Sequence, residues 1–243
     1  MIIKTRGIVF QSVNYSDTSL IVKIFTETLG LQSYMVKGAR SAGSKQKTAY
    51  FQPLSLLDLV VYHKENRQIN TIKEIRSAYA YKHIPFDIHK QTMLLFLNEI
   101  LYKSVREEGA NKALFSFIYN SLHWFDLERE EYLNFHIFFL LQLTKYLGFY
   151  PKINSAPLHS GFFDLEEGIF VNVQPMHNYY ISHHELEDFT AFLTQSIEDV
   201  KKLPIGTVRR RKLLDILISY YQMHLPGMGN IKSLDVLTAV LHG

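Results

Sequence analysis

Apolar and polar residues alternate along the first 80 residues, which is the pattern of β-strands that bury one face. Strands are predicted over residues 2–10, 20–25, 32–37, 53–63 and 69–79. Tight turns are predicted at 27–30 and 65–67, and Gly30 suits the first because glycine adopts a positive φ without steric cost. Five short, mostly antiparallel strands are typical of a small barrel, either an OB-fold or an SH3-like barrel.

The apolar spacing becomes helical after Pro85. Helices are predicted over residues 87–108, 112–125, 130–147, 183–196, 207–225 and 233–241. Gly109 and Gly148 stand where C-terminal caps belong, and Ser182 to Glu185 has the form of a capping box. We expect the first three helices to form a bundle.

The helical pattern stops at about 151–180, where residues 162–171 have the pattern of a small hairpin turning at Gly168. The sequence thus divides into a β domain, residues 1–84, and a helical domain, residues 85–243, with an inserted hairpin. No internal repeat or low-complexity segment is present.

The net charge of +3 is distributed unevenly between these two domains. Residues 1–84 contain 12 Lys and Arg against 5 Asp and Glu, whereas residues 85–243 contain 14 against 18. A basic module of charge +7 on an acidic body indicates a polyanion partner, usually nucleic acid.

Composition and segment lengths exclude several classes of protein. The chain has no cysteine, which excludes disulfides, thiol nucleophiles and thiolate zinc sites. The N-terminus does not resemble a signal peptide, and the apolar stretches are shorter than the roughly 20 residues that span a bilayer. We expect an intracellular protein with no membrane partner.

The most informative segment is residues 36–47, VKGARSAGSKQK, which contains four cations, two glycines and no acid. A flexible basic loop can follow a DNA backbone, because its cations displace condensed counterions. A solvated charged loop is the alternative interpretation. The DNA-binding candidates are the cations Lys4, Arg6, Lys37, Arg40, Lys45 and Lys47, with Tyr15 and Phe51 as stacking platforms.

No motif for catalysis is recognisable. His159, His177, His183 and His184 form the densest histidine group, but HExxH is absent and surface or capping roles are favoured. The P-loop, GxGxxG and GxSxG motifs are absent as well.

The chain resembles the bacterial RecO recombination mediators over most of its length. The resemblance rests on a series of short motifs in a consistent order: GIV at 7–9, YSD at 15–17, KGAR at 37–40, QPL at 52–54, LGFYP at 147–151 and SYY at 219–221. It implies an α+β protein with an N-terminal OB-fold and a helical domain, without enzymatic activity.

The resemblance also implies binding to single- and double-stranded DNA, annealing of complementary strands and help in loading recombinase. The implied protein partners are RecR and the acidic C-terminal tail of single-strand binding protein. Lys37 and Arg40 fall on family positions linked to DNA contact. A cytoplasmic, nucleoid-associated location follows from the same resemblance.

One departure concerns zinc. Many family members have two CxxC pairs after the helix that ends at LGFYP, whereas residues 154–161 here read NSAPLHSG. We therefore expect no cofactor, and a degenerate zinc-ribbon-like hairpin held by apolar packing. The expected packing residues are Phe162, Phe163, Leu165, Ile169 and Phe170.

An acidic tail peptide with apolar residues needs a hydrophobic groove rimmed by cations. Two helices qualify. Arg129 and Lys145 flank the apolar helix that carries Phe138, and Arg210 and Arg211 lie in a basic cluster that opens the helix after 207. The first is favoured.

Two other functional classes remain open from the sequence. A metal-dependent hydrolase would use the His159, His177 and His183 region with Asp164 or Glu185. A structural adaptor would dock an acidic protein on the basic module, and would not bind mixed-sequence oligonucleotides in a salt-dependent way.

Overall fold

The computed structural model describes residues 1–39, 48–106, 109–153 and 161–242. They form two compact units, residues 1–127 and 128–243. The change from strands to helices at residue 85 falls inside the first unit, because two helices pack with the barrel. None of the helices within the described ranges is long and apolar enough to cross a membrane.

The first unit begins with a closed barrel in the order β1-β2-β3-β5-β4. Its strands are β1 Ile2–Asn14, β2 Leu20–Thr26, β3 Gly30–Val36, β4 Leu56–Tyr62 and β5 Ile69–Tyr79. β1 pairs with both β2 and β4, which closes the barrel, and β3 pairs in parallel with β5. The predicted OB-fold is confirmed.

The barrel interior is filled from alternate positions of each strand, as the sequence pattern predicts. Val9, Val22 and Leu59 lie in this core. Gly7 permits close approach of the strands, since a Cβ there would lie 2.6 Å from the side chain of Ile24 and 2.8 Å from that of Leu59. Gly30 has φ 69°, as its predicted turn requires.

A 3₁₀ turn, Ile84–Phe86, and two helices, α1 Ile88–Ser104 and α2 Lys112–Leu127, complete the first unit. Asp87 caps α1 by accepting bonds from the amides of His89 and Lys90. The prediction that Gly109 caps this helix is wrong, because α1 ends at Ser104 with Val105 as its C-cap.

The second unit combines five helices with a three-stranded sheet in the order β7-β6-β8 among its described residues. The helices are α3 Phe135–Leu147, α4 His183–Thr194, α5 Ile197–Val200, α6 Thr207–His224 and α7 Ser233–His242. The strands are β6 Phe162–Asp164, β7 Ile169–Val171 and β8 Tyr180–Ser182.

The predicted bundle of the first three helices is wrong. α1 and α2 belong to the first unit, whereas α3 packs against α4 and α6 in the second. α3 begins at Phe135 rather than near Glu130, and it ends at Leu147. Gly148 is its C-cap with φ 89°, which confirms the predicted cap. The capping box also fails, since the Ser182 side chain forms no capping bond.

The predicted hairpin is confirmed as β6 and β7, which turn at Gly168 with φ 67°. Phe163, Leu165 and Phe170 are buried, as expected, whereas Phe162 and Ile169 are only partly buried. The Phe163 ring lies 4.7 Å from Phe189 of α4, centroid to centroid. The sequence pattern does not predict β8, which is only three residues long and pairs with β6.

Candidate nucleic-acid interface

The basic segment leaves the barrel at the end of β3. Lys37 is exposed directly after Val36, and Gly38 turns the chain with φ 67°. Ala39 and Phe51, on either side of residues 40–47, both belong to the barrel core. The predicted DNA-binding residues Arg40, Lys45 and Lys47 lie outside the described residues.

Of the two predicted stacking residues, Tyr15 alone is accessible. It is 61% exposed in the loop between β1 and β2, which is closed by a bond from the Tyr15 amide to the carbonyl of Ser19 at 3.1 Å. Phe51 is 4% exposed and packs inside the barrel. Its assignment as a stacking platform is wrong, because a base cannot stack on a ring whose faces are packed in the core.

Arg6 is occupied by contacts within the first unit. Its guanidinium donates to both carboxylate oxygens of Glu27 at 3.0 and 2.8 Å, and it lies 4.8 Å from the centre of the Tyr119 ring. The bond between the two side chains raises the pKa of Arg6 and lowers that of Glu27. Arg6 therefore joins β1 to α2, which the sequence does not show because Tyr119 lies far along the chain.

Lys4 is exposed on the outer face of β1, β4 and β5. This face contains a depression of about 490 Å³ whose charged lining residues are Lys4, Arg6, Arg76, Glu27, Asp58 and Glu74. Arg76 is paired with Asp58 at 3.0 Å. Three acids offset three cations here, so this face attracts phosphate less than the composition of residues 1–84 indicates.

The β4–β5 loop adds cations that were not among the sequence candidates. Lys64 and Arg67 are exposed there, beside the terminal ammonium of Met1, which donates to the carbonyl of His63 at 2.8 Å. The buried side chain of Asn70 shapes the loop by accepting a bond from the Lys64 amide at 2.9 Å. The 1–2 and 4–5 loops of OB-folds contact oligonucleotides. The position of Arg67 in the predicted 65–67 turn, and of Lys64 directly before it, is therefore the signal that could have identified these cations.

Ion pairs and burial account for most of the cationic cluster 209–212. Arg209 binds Asp188 through two bonds at 2.8 and 2.6 Å, and Lys212 pairs with Glu185. Arg211 is exposed and has no ion-pair partner among the described residues.

Arg210 is a structural residue rather than a partner-binding one. It is 8% exposed, and it donates to the side-chain oxygen of Asn134 at 3.0 Å and to the carbonyl of Ile205 at 2.7 Å. Burial lowers its pKa. The prediction that Arg210 contacts a partner is wrong, since its guanidinium faces the interior.

The apolar face of α3 is core rather than groove. Phe135, Phe139 and Leu143 are buried, and Phe138 is partly buried. Lys145 lies with its ammonium 4.5 Å from the centre of the Tyr150 ring, and burial lowers its pKa. Arg129 is exposed before the helix.

The histidines that the structure describes do not assemble a set of metal ligands. Nε2 of His177 lies 3.2 Å from Asp164 and 3.6 Å from Glu166, while its Nδ1 accepts a bond from the Tyr179 amide at 3.2 Å. His183 and His184 are exposed, and His159 lies outside the described residues. Within the part of the chain that the structure describes, no three His, Cys, Asp or Glu side chains are placed to hold an ion.

These donors do not fit the zinc that the resemblance implies. Such a site needs about four ligands in a tetrahedron, and the interior of the hairpin is instead filled by aromatic rings.

Comparison with known proteins matches both regions of the chain to one family. The family model "Recombination protein O N terminal" matches residues 1–81, and "Recombination protein O C terminal" matches residues 85–235. The DNA repair protein RecO of Flavobacterium psychrophilum is 40% identical over 242 residues, 99% of each chain. The proteins of the same name from Bacteroides fragilis and Porphyromonas gingivalis are 36% and 29% identical, covering 98% and 99% of each chain. The chain therefore belongs to the RecO family of DNA repair proteins.

Proposed function

We propose that this protein is a recombination mediator that binds single- and double-stranded DNA, anneals complementary strands and helps load recombinase onto DNA coated by single-strand binding protein. The observation that carries the proposal is the exposed Lys37, where a strand of an OB barrel opens into the basic segment 37–47. Both flanks of residues 40–47 are anchored in the barrel core by Ala39 and Phe51.

The charge and the loops of the barrel suit a single strand. Lys37 with Lys64 and Arg67 offers exposed cations to phosphates, and Tyr15 offers a ring face to a base. Stacking on such rings is tolerant of sequence because every base has a π-face.

Annealing requires no covalent chemistry. Base pairing supplies the free energy, and the protein only has to reduce the repulsion between two phosphate backbones. We accordingly propose that the protein is not an enzyme, and that it acts in the cytoplasm at the nucleoid, where its DNA lies.

Mobility shifts with single-stranded DNA, run with an annealing assay, test this proposal. The double variant Lys37→Glu/Arg40→Glu should bind at least about tenfold more weakly, with a salt slope reduced by about 1.4 for two lost single-strand contacts. The matched control Lys152→Glu/Lys202→Glu makes the same charge change in the second unit and should bind like wild type. Equal affinity of the first variant and wild type, with both folded, would overturn the proposal.

We also propose that the protein contains no resident zinc. Elemental analysis should find far less than one zinc per chain, and chelation should leave DNA binding intact. A stoichiometric zinc, or hydrolysis lost on chelation, would favour the hydrolase class instead.

For protein partners, we propose RecR and the C-terminal tail of single-strand binding protein. Since Arg210 is buried and the apolar face of α3 is core, the cations left for the tail are the exposed Arg129 with Lys145 beside α3, and the exposed Arg211 on α6. Fluorescence anisotropy with the tail peptide decides between them. Loss of binding in Arg129→Ala/Lys145→Ala supports the α3 site, and loss in Arg211→Ala alone supports α6.

A further inference from the structure

The end of β1 forms one wall of a small polar pocket in the first unit. Its volume is about 320 Å³, near the lower limit for sites that enclose small molecules. The pocket is lined by Gln11, Ser12, Asn14, Leu20, Thr48, Phe51, Gln52 and Pro53.

An irregularity in β1 shapes this wall. The pairing of β1 with β2 shifts register between Val9 and Gln11, and a bulge of this kind redirects the side chains that follow it. The segment before β4 is bound to β1 next to this bulge, because the Leu54 amide donates to the carbonyl of Val9 at 2.7 Å. Leu54 adopts a positive φ of 56°, which is costly for a leucine, so this approach is imposed by the surrounding packing.

The lining residues that the structure describes have hydrogen-bonding groups but no charge. Three amides and two hydroxyls stand beside the apolar Leu20, Phe51 and Pro53. In the described part of the chain, the side-chain amides of Gln11, Asn14 and Gln52 form no hydrogen bond with the protein. These donors and acceptors are therefore available to a ligand.

Neutral amides and hydroxyls beside apolar side chains suit a nucleobase better than a phosphate group. A phosphate group is bound best by cations, and none of the described residues that line the pocket is a cation. A base has apolar faces and an edge of neutral donors and acceptors, and side-chain amides match such edges with paired hydrogen bonds. Tyr15, which is 61% exposed, directly follows the lining residue Asn14 in the sequence.

We propose that this pocket receives one unstacked base of single-stranded DNA and gives the protein a base preference. The inference rests on the proposed DNA-binding function and extends it. A duplex cannot use the pocket, because its base edges are paired and its bases stacked. The phosphate contacts therefore determine the overall affinity for DNA, and the pocket determines how the affinity for a single strand differs from base to base.

Competition between equal-length dT, dC and dA oligomers for a labelled mixed-sequence strand tests the proposal. Wild type should prefer one homopolymer several-fold. The near-isosteric variant Gln11→Met/Asn14→Leu should lose about tenfold affinity for that homopolymer, as expected when a paired base contact is removed. Its salt slope should not change, because no cation is removed.

The matched control is Gln195→Met, which removes an exposed amide in the second unit and should retain the preference. A strand with abasic residues gives a second measurement on unaltered protein: it should bind wild type like the non-preferred homopolymers. Equal binding of all homopolymers and of the abasic strand, or an unchanged preference in the folded variant, overturns the pocket. Failure of wild type to bind any oligomer would instead overturn the proposed function.

Discussion

The ammonium group of Lys90 lies 2.8 Å from the carbonyl oxygen of Phe125 and donates to it from an almost fully buried side chain. It also donates to the carbonyl of Asp126 at 3.1 Å, so a cation on α1 binds the C-terminal end of α2. The carboxylate of Asp126 accepts bonds from the amides of residues 82–84 and from the hydroxyl of Tyr79. Together these groups bind the barrel's last strand to both helices.

Lys90→Met should therefore destabilise the first unit. The variant keeps the aliphatic stem but leaves buried carbonyls without the charged donor, which should cost about 1.5–3 kcal/mol of unfolding free energy. Urea unfolding can be followed by the fluorescence of Trp124, the chain's one tryptophan, which lies in α2.

The control for Lys90 is Lys103→Met on the same helix. Lys103 forms an i,i+4 pair with Glu99, a type of contact worth about 0.3–0.5 kcal/mol. If the two variants unfolded at the same urea concentration, the buried contacts of Lys90 would not be stabilising.

Arg6→Gln and Lys37→Gln should separate stability from DNA binding. Arg6→Gln breaks the pair with Glu27 and the contact with Tyr119, so it should lower the urea midpoint and leave the salt slope unchanged. Lys37→Gln should reduce the slope by about 0.7 and leave the midpoint unchanged. The opposite pattern would show that Arg6 contacts phosphate.

The sequence predicts most of the barrel because a strand's alternation is local. It cannot predict that the side chains of Arg6 and Arg210 are bound within the protein, since their partners Glu27 and Asn134 lie 21 and 76 residues away. Phe51 is similar: its position after a basic segment indicates exposure, but the chain returns to the barrel core there.

The helix α3 shows the same limit for packing. Its apolar residues correctly predict a helix. A helix that forms a partner groove and a helix in the centre of the core would have the same pattern, however. Its contacts with α4 and α6 show that α3 is a core helix. The sequence pattern of α3 does not reveal these contacts, because those helices begin more than 30 residues later.

Glu128 should make the second unit sensitive to acid. Its carboxylate accepts bonds from Lys201 at 2.9 Å and from the amides of Glu130 and Glu131, and the bond with Lys201 is the main cause of its pKa of about 2. In an unfolded chain the value is about 4.3. Since the folded pKa is the lower one, the stabilisation is complete above about pH 4.3 and is lost as the pH falls towards 2.

Glu128→Gln should consequently be less stable than wild type by about 1–2 kcal/mol at pH 7, a figure reduced from the full linkage value to allow for partial solvation. The difference should vanish near pH 2. Urea unfolding by circular dichroism at pH 7 and pH 2.5 measures it, with the exposed Glu130→Gln as control. A difference that is constant with pH would mean that the charge of Glu128 contributes nothing.

Gly168→Ala should destabilise the hairpin for two separable reasons. The residue has φ 67°, which costs an alanine about 1 kcal/mol, and the new Cβ would lie 2.8 Å from the hydroxyl oxygen of Tyr220. That hydroxyl donates to the carbonyl of Phe149 at 2.7 Å and cannot move without breaking this bond. We expect a total loss of about 2–3 kcal/mol. Gly229→Ala, with φ 58° and open space around its Cβ, should cost only the backbone part.

A double-mutant cycle with Tyr220→Phe isolates the steric part of the Gly168→Ala effect, because phenylalanine removes the oxygen that the new Cβ would strike. In the Tyr220→Phe protein, Gly168→Ala should lower the free energy of unfolding by no more than Gly229→Ala lowers it in wild type. The coupling free energy should then be about 1–2 kcal/mol, measured by thermal or urea unfolding of the four proteins. A coupling near zero would mean that the hairpin turn moves away from the Tyr220 hydroxyl without loss of stability.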